Sequence, residues 1–368
     1  MQTVKAMAQH FVNTTGPITN IQEYGAGNIH HTFLVSLHGG PPFILQQINQ
    51  RVFKQPEWIM RNIRTFTDHV QMRRQSDPPS ARRWETPQII PTNAGCDYVI
   101  DAQGGFWRAL TFIGGARTYA KIQDVHHARE VGYALGRFHH LTRDLNPARL
   151  YDTLEGYHLT PRYLAHYDAV VARGEFAADS ADVAYGIRFL ADRRDAIPVL
   201  EEARQQGRLH LRPTHGDPKV DNVMIDDNTG QAVSIIDLDT VKPGLVHYDI
   251  GDCLRSGCNP PGEETEDIDA VYFEMDLCQA ILQGYFPLVR DFYTDDDYAY
   301  LYAAIRLLAL EQGLRFFTDY LEGNVYYKVK HDRHNLIRAL VQFKLVVSIE
   351  AQEAAIRAVI ANCRAASV

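Results

Sequence analysis

The chain has 368 residues, which is long enough for two core-bearing domains or lobes and excludes a single small module. Its formal net charge is -8, and its basic residues form only short pairs such as Arg73-Arg74 and Arg82-Arg83, so no basic stretch typical of nucleic-acid binding is present. The 5 cysteines are scattered without C-x-x-C pairs, which indicates a reducing compartment rather than a disulfide framework or a zinc site.

The start of the chain, residues 1–13, lacks the long apolar region of a secretory signal or a membrane anchor. No apolar run approaches the ~20 residues that a bilayer span needs. We therefore expect a soluble, cytoplasmic protein that binds neither membranes nor nucleic acid. We expect it to be a monomer or a weak homo-oligomer.

The N-terminal part of the sequence predicts a small β-sheet lobe. Strand patterns occur at 18–24, 31–37, 43–48, 98–101 and 106–112, and apolar residues at helical spacing predict a helix over 57–73. Glycine and proline clusters separate the runs, as expected for turns. The predicted sheet lobe covers 1–112, and a hinge follows it.

Residues 113–368 predict a larger, mostly helical lobe. Helical patterns occur at 125–141, 161–173, 181–206, 264–283, 295–321 and 335–363. Two short apolar runs, Val223 to Ile225 and Val233 to Ile236, flank a polar turn and predict a β-hairpin. This hairpin would bring the residues at its strand ends to one cleft.

The most informative motif is H-G-D-P-K-V-D-N, from His215 to Asn222, followed by Asp237 at the end of an apolar run. Asp217 stands five residues before Asn222, which is the spacing of base and metal ligand in the kinase catalytic loop. Phosphoryl transfer needs hard oxygen ligands for Mg²⁺ and a base for the acceptor hydroxyl. The pattern predicts Asp217 as the base and Asn222 with Asp237 as metal ligands. Lys219 would place a cation beside the transferred phosphate.

Other polar residues near this motif have less specific interpretations. Asp239 is predicted on the same side of a continuing strand as Asp237, either to aid the metal or as a turn carboxylate. Asp249 and Asp252 are read mainly as hydrogen-bonding supports of the catalytic loop. The pair His139-His140 lacks metal-ligand spacing and is interpreted as a helix end. The alternative for the whole motif is a polar loop before a buried strand.

The nucleotide-binding residues are predicted in the first lobe. Gly25 and Gly27 would let backbone N–H groups approach phosphates, although a plain turn is the alternative and His30 replaces the third glycine of G-x-G-x-x-G. The third strand carries Gln46 where a protein kinase has a lysine. A neutral amide contributes less to phosphate binding, and a structural role for Gln46 is equally compatible. Phe112, at the hinge, completes the predicted nucleotide site.

With these residues in place, the chain resembles the aminoglycoside phosphotransferase and choline kinase-like superfamily, and within it the N-acetylhexosamine 1-kinases. The likeness runs nearly end to end: Y-G-A-G-N-I-H-H-T-F-L-V from Tyr24, F-I-L-Q-Q-I-N from Phe43, W-R-A-L-T-F-I from Trp107, T-H-G-D-P-K-V-D-N from Thr214, I-I-D-L-D-T-V-K-P-G from Ile235 and L-R-F-F-T-D-Y-L-E-G-N-V-Y-Y from Leu314. It implies an α+β, two-lobed protein-kinase-like fold with a small antiparallel-sheet N-lobe and a large helical C-lobe. It also implies that the protein uses ATP and Mg²⁺ and transfers the γ-phosphoryl group to the anomeric hydroxyl of a 2-acetamido sugar. In this resemblance Asp217 matches the base, and Asn222 and Asp237 match the metal ligands. Gln46 matches a glutamine of the family.

The resemblance also implies a sugar site. Arg315 and Tyr326 match sugar-contacting positions, and an arginine fork with a phenol suits polyhydroxyl recognition. The alternative is a helix-face arginine paired with Glu311 and a core tyrosine. Two departures adjoin the implied pocket: Asn28 replaces a histidine and Ser256 replaces an aromatic residue. They leave open which hexose is bound.

Two other functions remain compatible with the sequence. A kinase for a cationic acceptor, such as an aminoglycoside or choline, fits the excess of acidic residues but is opposed by Arg315. A nucleotide-binding pseudokinase scaffold is suggested by Gln46 and opposed by the intact residues Asp217, Lys219 and Asn222.

Overall fold

The computed structural model describes residues 2–12, 16–25, 29–76, 82–174, 176 and 180–366. An N-terminal helix, α1 (Gln2–Gln9), buries Val4 and Ala8 against the first sheet. None of the helices in the described part of the chain combines the length and apolar character needed to cross a membrane.

The N-terminal lobe is a 6-stranded antiparallel sheet. Its strands are β1 (Ile18–Glu23), β2 (His31–Leu37), β3 (Phe43–Gln47), β4 (Ile89–Ile90), β5 (Val99–Ile100) and β6 (Phe106–Thr111). The order is β1-β2-β3-β6-β4, and β5 also pairs with β6. Alternating residues such as Phe33, Val35, Phe43 and Leu45 form the buried face, as the two-residue period of a strand requires. The register places Gln46 of β3 opposite Arg108 of β6.

Helix α2 (Pro56–Ser76) connects this sheet to the rest of the molecule. Its apolar stripe, which includes Ile59, Ile63 and Phe66, joins the large core, and the Phe66 ring stacks on Phe138 with centroids 5.1 Å apart. The helical spacing seen in the sequence therefore corresponds to a real buried face.

The C-terminal lobe is mostly helical. Its α-helices are α3 (Val125–Thr142), α4 (Thr160–Arg173), α5 (Ala181–Ala191), α6 (Val199–Gln205), α7 (Val246–Gly257), α8 (Met275–Val289), α9 (Asp295–Ala299), α10 (Leu301–Leu321), α11 (His334–Ala351) and α12 (Glu353–Ala366). Helix α10 is buried on nearly all sides and packs against α4, α7 and α11. Helices α3 and α8 approach very closely, because a Cβ on Gly132 would lie only 1.9 Å from the Ile281 carbonyl oxygen.

Several helix predictions were wrong in detail. The single helix expected over 181–206 is two helices, since Pro198 cannot continue a helical hydrogen-bond ladder and a 3-10 turn precedes it. The helix expected from residue 264 begins only at Met275, where the Glu274 side chain caps it. Breaks also occur at Tyr300 and Gln352, and α7 was not predicted.

Short strands in the C-terminal lobe position the H-G-D-P-K-V-D-N motif. The predicted hairpin is present as β9 (Val223–Asp226) and β10 (Ala232–Ile235), and β7 (Ala116–Arg117) pairs with β9. A second pair joins β8 (Arg212–Thr214) to β11 (Lys242–Gly244). The Ile236 N–H donates to the Asn222 carbonyl over 2.8 Å, so the residues around the two hairpin ends lie side by side.

Candidate active site

The loop between β8 and β9 carries the H-G-D-P-K-V-D-N motif. Gly216 has a φ of +86°, and a Cβ there would lie 2.7 Å from the Thr240 carbonyl oxygen, so this position requires glycine. The N–H groups of His215 and Gly216 donate to the Asp249 carboxylate over 2.7 and 2.8 Å. His139, in the last turn of α3, contacts the same carboxylate at 2.9 Å. Asp249 therefore supports the loop, as predicted, and His139 is a buried part of that support rather than only a helix end.

Asp217 projects from this loop with a quarter of its side chain exposed. Lys219 Nζ lies 3.2 Å from Asp217 Oδ2, and the Asn222 side-chain amide donates to Asp217 O at 2.7 Å and to Oδ2 at 3.3 Å. Burial by itself disfavours the charged form, but the positive charge of Lys219, with that of Arg255, holds the pKa of Asp217 below its ordinary value. The carboxylate is therefore ionised near neutral pH and can accept a hydrogen bond from a hydroxyl group.

Asp237 follows β10 in a left-handed backbone conformation, with a φ of +64°. Within the described residues its carboxylate has no hydrogen bond or ion pair. Although Asp237 is exposed to solvent, desolvation by the protein packed around its carboxylate, then repulsion by Asp239 and Asp217, raise the pKa of Asp237 to about 6. No cation among the described residues pairs with this carboxylate directly, but the charge of Lys219 acts on it, since the pKa of Lys219 is raised by Asp217 first and also by Asp221 and Asp237.

Asn222 adds a second oxygen to this part of the site. Its Nδ2 donates to Asp217, so its Oδ1 remains as an acceptor, and no hydrogen bond to Oδ1 occurs in the described part of the chain. A carboxylate and an amide oxygen at adjoining strand ends are the donor types that hard divalent cations prefer. Their chemistry fits the predicted metal site.

Asp239 occupies a different environment from the one expected. Residues Leu238–Thr240 form a 3-10 turn instead of continuing the strand, so the strand prediction was wrong here. The Asp239 side chain is 2% exposed; Oδ2 contacts His30 Nε2 at 2.6 Å and Oδ1 contacts Arg108 Nη1 at 2.6 Å. These partners hold the Asp239 carboxylate in place, and its two oxygens are engaged within the protein.

Gln46 belongs to the same network. Its Oε1 accepts from Arg108 Nε at 3.0 Å and Nη2 at 2.7 Å, and its Nε2 donates to Thr32 Oγ1 at 3.1 Å. Both ends of the amide thus have protein partners, and a contact with nucleotide stays a prediction. Arg108 was missed in the sequence analysis, although an arginine inside the apolar strand F-W-R-A-L-T was a usable signal.

Gly25, the described glycine of the predicted nucleotide loop, lies close to the predicted hinge. Gly25 is open, since a Cβ added to it would have no heavy atom within 4 Å, and the ring of Tyr24 meets Phe112 edge-on with centroids 5.7 Å apart. The structure therefore brings Gly25 and Phe112 into one region. Gly27 and Asn28 lie outside the described residues, so their predicted roles are untested.

Arg315 of α10 lies among tyrosine rings. Its guanidinium carbon is 5.1 Å from the ring centroids of Tyr157 and Tyr163 and 5.7 Å from that of Tyr327, distances typical of cation–π contacts. Nη1 also donates to Gln312 at 3.1 Å. Among the described residues Arg315 has no ion pair, so the alternative pairing with Glu311 does not occur. This cage of Tyr157, Tyr163 and Tyr327 holds a positive charge that no carboxylate of the described residues contacts directly.

Tyr157 connects this cage to Asp217. Burial, then the negative charge of Asp217, raise the pKa of the Tyr157 phenol well above its usual value, while Arg315 opposes the shift. The phenol is thus a neighbour of both charges. Tyr326 is 62% exposed, and its ring packs edge-on against Tyr327 at 4.9 Å. No sequence pattern singled out Tyr157, because it lies in an irregular segment before α4.

Ser256 lies near the end of α7, where its hydroxyl donates to the Cys253 carbonyl at 3.2 Å. No contact within the described residues brings this hydroxyl to Asp217. The adjacent Arg255 is held by Asp252 at 2.8 Å and by Glu263 at 2.9 Å, and its charge acts on Asp217. Helix α7 therefore acts on Asp217 through the charge of Arg255 more directly than through the hydroxyl of Ser256.

Comparison with known proteins identifies the class. Residues 20–285 match the phosphotransferase enzyme family that includes the aminoglycoside phosphotransferases, and the chain belongs to this family. Similar solved structures are a microcompartment-associated aminopropanol kinase (16% identity, TM-score 0.65, 97% of this chain and 98% of that chain) and the choline kinase of Cryptosporidium parvum (13%, 0.60, 96% and 97%). An amicoumacin kinase in complex with AMP-PNP, Ca²⁺ and Ami is also similar (14%, 0.57, 98% and 93%). These structures confirm the predicted kinase-like fold, with its sheet N-lobe and helical C-lobe.

Proposed function

We propose that this phosphotransferase is an ATP-dependent sugar kinase that phosphorylates the anomeric hydroxyl of an N-acetylhexosamine or a related hexose. The observation that carries the proposal is the convergence of Asp217, Lys219 and Asn222 in one loop with Asp237 at the adjoining strand end. The cage around Arg315 supports the choice of a sugar.

Asp217 is the proposed base. The acceptor hydroxyl donates a hydrogen bond to its ionised carboxylate, and the hydroxyl oxygen attacks the γ-phosphorus of ATP as the bond to the β–γ bridging oxygen breaks. The hydroxyl proton passes to Asp217, and ADP leaves with the bridging oxygen. Lys219, 3.2 Å from Asp217 Oδ2, orients the carboxylate and places positive charge near the transferred group.

Asn222 Oδ1 and the Asp237 carboxylate would hold Mg²⁺, which supplies positive charge to the phosphate oxygens when bound. Magnesium commonly takes only one or two protein ligands and completes its shell with water and phosphate, which suits this small donor set.

We assign ATP binding to the backbone at Gly25 and Gly27, to Phe112 at the hinge and to Gln46 on β3. The proposal divides the chain into a nucleotide-binding lobe, 1–112, and a catalytic and sugar-binding lobe, 113–368.

The sugar would lie between Asp217 and Arg315, beside Tyr157. A guanidinium without a carboxylate partner favours carbonyl and hydroxyl oxygens, such as those of an acetamido group, and repels an ammonium group. This charge argues against amine acceptors such as aminoglycosides or choline. Tyr326 is exposed and available for contact, and Asn28 and Ser256 are assigned to the sugar pocket through the family resemblance.

The test is an acceptor screen with Mg·ATP, covering hexoses, 2-acetamido hexoses, aminoglycosides, choline and aminopropanol, with ³¹P NMR to locate the new phosphate. We expect turnover of a 2-acetamido hexose with phosphate at the anomeric position. Phosphate at the primary hydroxyl would refute the anomeric assignment but would still support a sugar kinase. Phosphorylation of the amine acceptors alone would refute the proposal that the acceptor is a sugar.

The role of Asp217 is tested with Asp217→Asn. We expect a loss of about 10²- to 10⁴-fold in kcat, because a positioned base contributes that much, with ATP binding preserved. Asp227→Asn, on the β9–β10 turn and paired with the exposed Arg117, is the matched control and should keep wild-type turnover. Near-normal turnover by Asp217→Asn would exclude the base assignment.

A further inference from the structure

The backbone N–H and carbonyl of Gly216, directly before Asp217, each contact a buried charged side chain. The Gly216 N–H donates to Asp249 Oδ1 at 2.8 Å, and the Gly216 carbonyl lies 2.8 Å from His158 Nε2. This carbonyl belongs to the peptide bond that leads directly into Asp217. Its orientation therefore fixes the direction in which the Asp217 side chain leaves the backbone.

His158 comes from the segment before α4 and is 4% exposed. Its Nδ1 lies 2.8 Å from Glu311 Oε1, and its Nε2 faces the Gly216 carbonyl. Thr160 donates its hydroxyl to the other Glu311 oxygen at 2.5 Å. A carbonyl can only accept, and an ionised carboxylate can only accept, so both ring nitrogens need a proton. The geometry fits an imidazolium ion inside the protein.

His158 itself is conformationally constrained. Its φ is +65°, a left-handed conformation that a non-glycine residue adopts at a cost. The rings of Tyr157 and Tyr248 lie against the imidazole with centroid distances of 4.0 and 5.5 Å. The fold therefore holds this ring in one place, between α10 and the catalytic loop.

We propose that His158, as an imidazolium paired with Glu311, is a positioning residue that fixes the Gly216 carbonyl and thereby the direction of Asp217. This inference rests on the proposed role of Asp217 as the base. His158 does not touch the reacting atoms; it acts through the backbone of the loop.

The electrostatic surroundings support the charged ring. Burial alone disfavours the imidazolium, but the Glu311 carboxylate, with a further contribution from Asp252, raises the pKa of His158 above its usual value. The titratable and charged groups around the pair are Glu311 and Arg315 on α10, Asp252 and Tyr248 on α7, Tyr157 beside His158, Tyr163 on α4 and Lys242 on β11.

The sign of the pH dependence follows from this. The charged pair is complete below the unfolded histidine pKa of about 6.5 and is lost as the pH rises through the higher folded pKa. Above that pH, the neutral ring keeps its proton on Nδ1, against the Glu311 carboxylate, and the unprotonated Nε2 faces the Gly216 carbonyl, so the hydrogen bond that positions the loop is lost. We therefore expect kcat to fall on the alkaline side.

The test combines His158→Gln with His166→Gln as a matched control. His166 also pairs with a glutamate, Glu322, at 2.8 Å, but it lies exposed on the outer side of α4. His158→Gln should lower kcat by about tenfold or more, because small misplacements of a catalytic group are costly, while ATP binding stays unchanged. It should also remove the decrease of kcat at alkaline pH that we expect for the wild-type protein. His166→Gln should match wild type in both respects.

A second measurement does not depend on the variants folding. The ¹⁵N spectrum of the wild-type imidazoles should show both His158 nitrogens protonated at about pH 7, with the His158 ring assigned by its nuclear Overhauser contacts to the rings of Tyr157 and Tyr248. A neutral imidazole there, or wild-type kcat and pH profile in His158→Gln, would overturn the proposal. If Asp217→Asn were fully active, the base assignment would fail separately, because the protonation of His158 is read directly from the spectrum.

Discussion

Replacing Arg108 tests most directly how the two lobes are joined, because its side chain on β6 contacts Asp239 of the C-terminal lobe. Its side chain is 2% exposed, lies 2.6 Å from Asp239 Oδ1 and donates twice to Gln46. Replacing it with methionine would keep most of the volume but leave the Asp239 carboxylate buried with only His30 beside it. Removing one partner of a buried ion pair costs about 3–5 kcal/mol, so Arg108→Met should lower the free energy of unfolding by that amount.

Urea unfolding followed by fluorescence would measure this loss. Arg117→Met removes an arginine of similar pairing, 2.6 Å from Asp227 but mostly exposed, and should leave the unfolding curve unchanged. In the double variant Arg108→Met/Asp239→Asn the uncompensated charge is gone, so its destabilisation should be smaller than the sum of the single changes. A loss below about 1 kcal/mol for Arg108→Met would refute the reasoning, because it would mean that the carboxylate does not depend on this partner.

Two further predictions concern the loop and the acid stability. Gly216→Ala forces a Cβ to 2.7 Å from the Thr240 carbonyl oxygen at a positive φ, so it should cost about 1–3 kcal/mol of stability and reduce kcat more than it changes the KM for ATP. Steady-state kinetics and urea unfolding would measure both; unchanged kinetics would show that the loop tolerates the shift. Burial disfavours ionised Asp297, but the hydrogen bond from Arg212 at 2.8 Å holds the pKa of Asp297 below its ordinary value. Its contribution is therefore present above the unfolded pKa of about 3.9 and lost as the pH falls through the folded pKa. Asp297→Asn should flatten the decrease of the urea midpoint between neutral and acidic pH, and parallel profiles for the two proteins would contradict this.

The sequence was informative where short-range patterns determine structure. Alternation along β2 and β3 and helical spacing along α2 predicted the N-terminal lobe, and the spacing from Asp217 to Asn222 predicted a loop whose residues do lie together. These features depend on residues close in the chain. They can be recognised without knowing the three-dimensional arrangement.

The supporting contacts could not be predicted in the same way. Arg108 meets Asp239 and His158 meets Glu311 across more than a hundred residues of sequence, so neither pair leaves a local pattern. Asp239 was misplaced for a related reason, because the chain forms a 3-10 turn after β10 and the partners of this carboxylate, His30 and Arg108, lie far away in the sequence. The predicted helix ends were wrong where a single residue such as Pro198 interrupts a helix, because the apolar periodicity continues across that residue.

The close packing of α3 and α8 extends the active site well beyond the cleft. Gly132 and Gly284 leave no space for a methyl group between these helices, since a Cβ on Gly284 would lie 2.0 Å from the Arg129 carbonyl oxygen. Helix α3 carries His139, which holds Asp249, which in turn holds the catalytic loop. Through this series of contacts, we expect a change as small as one methyl group between the two helices to be transmitted to Asp217, the proposed base.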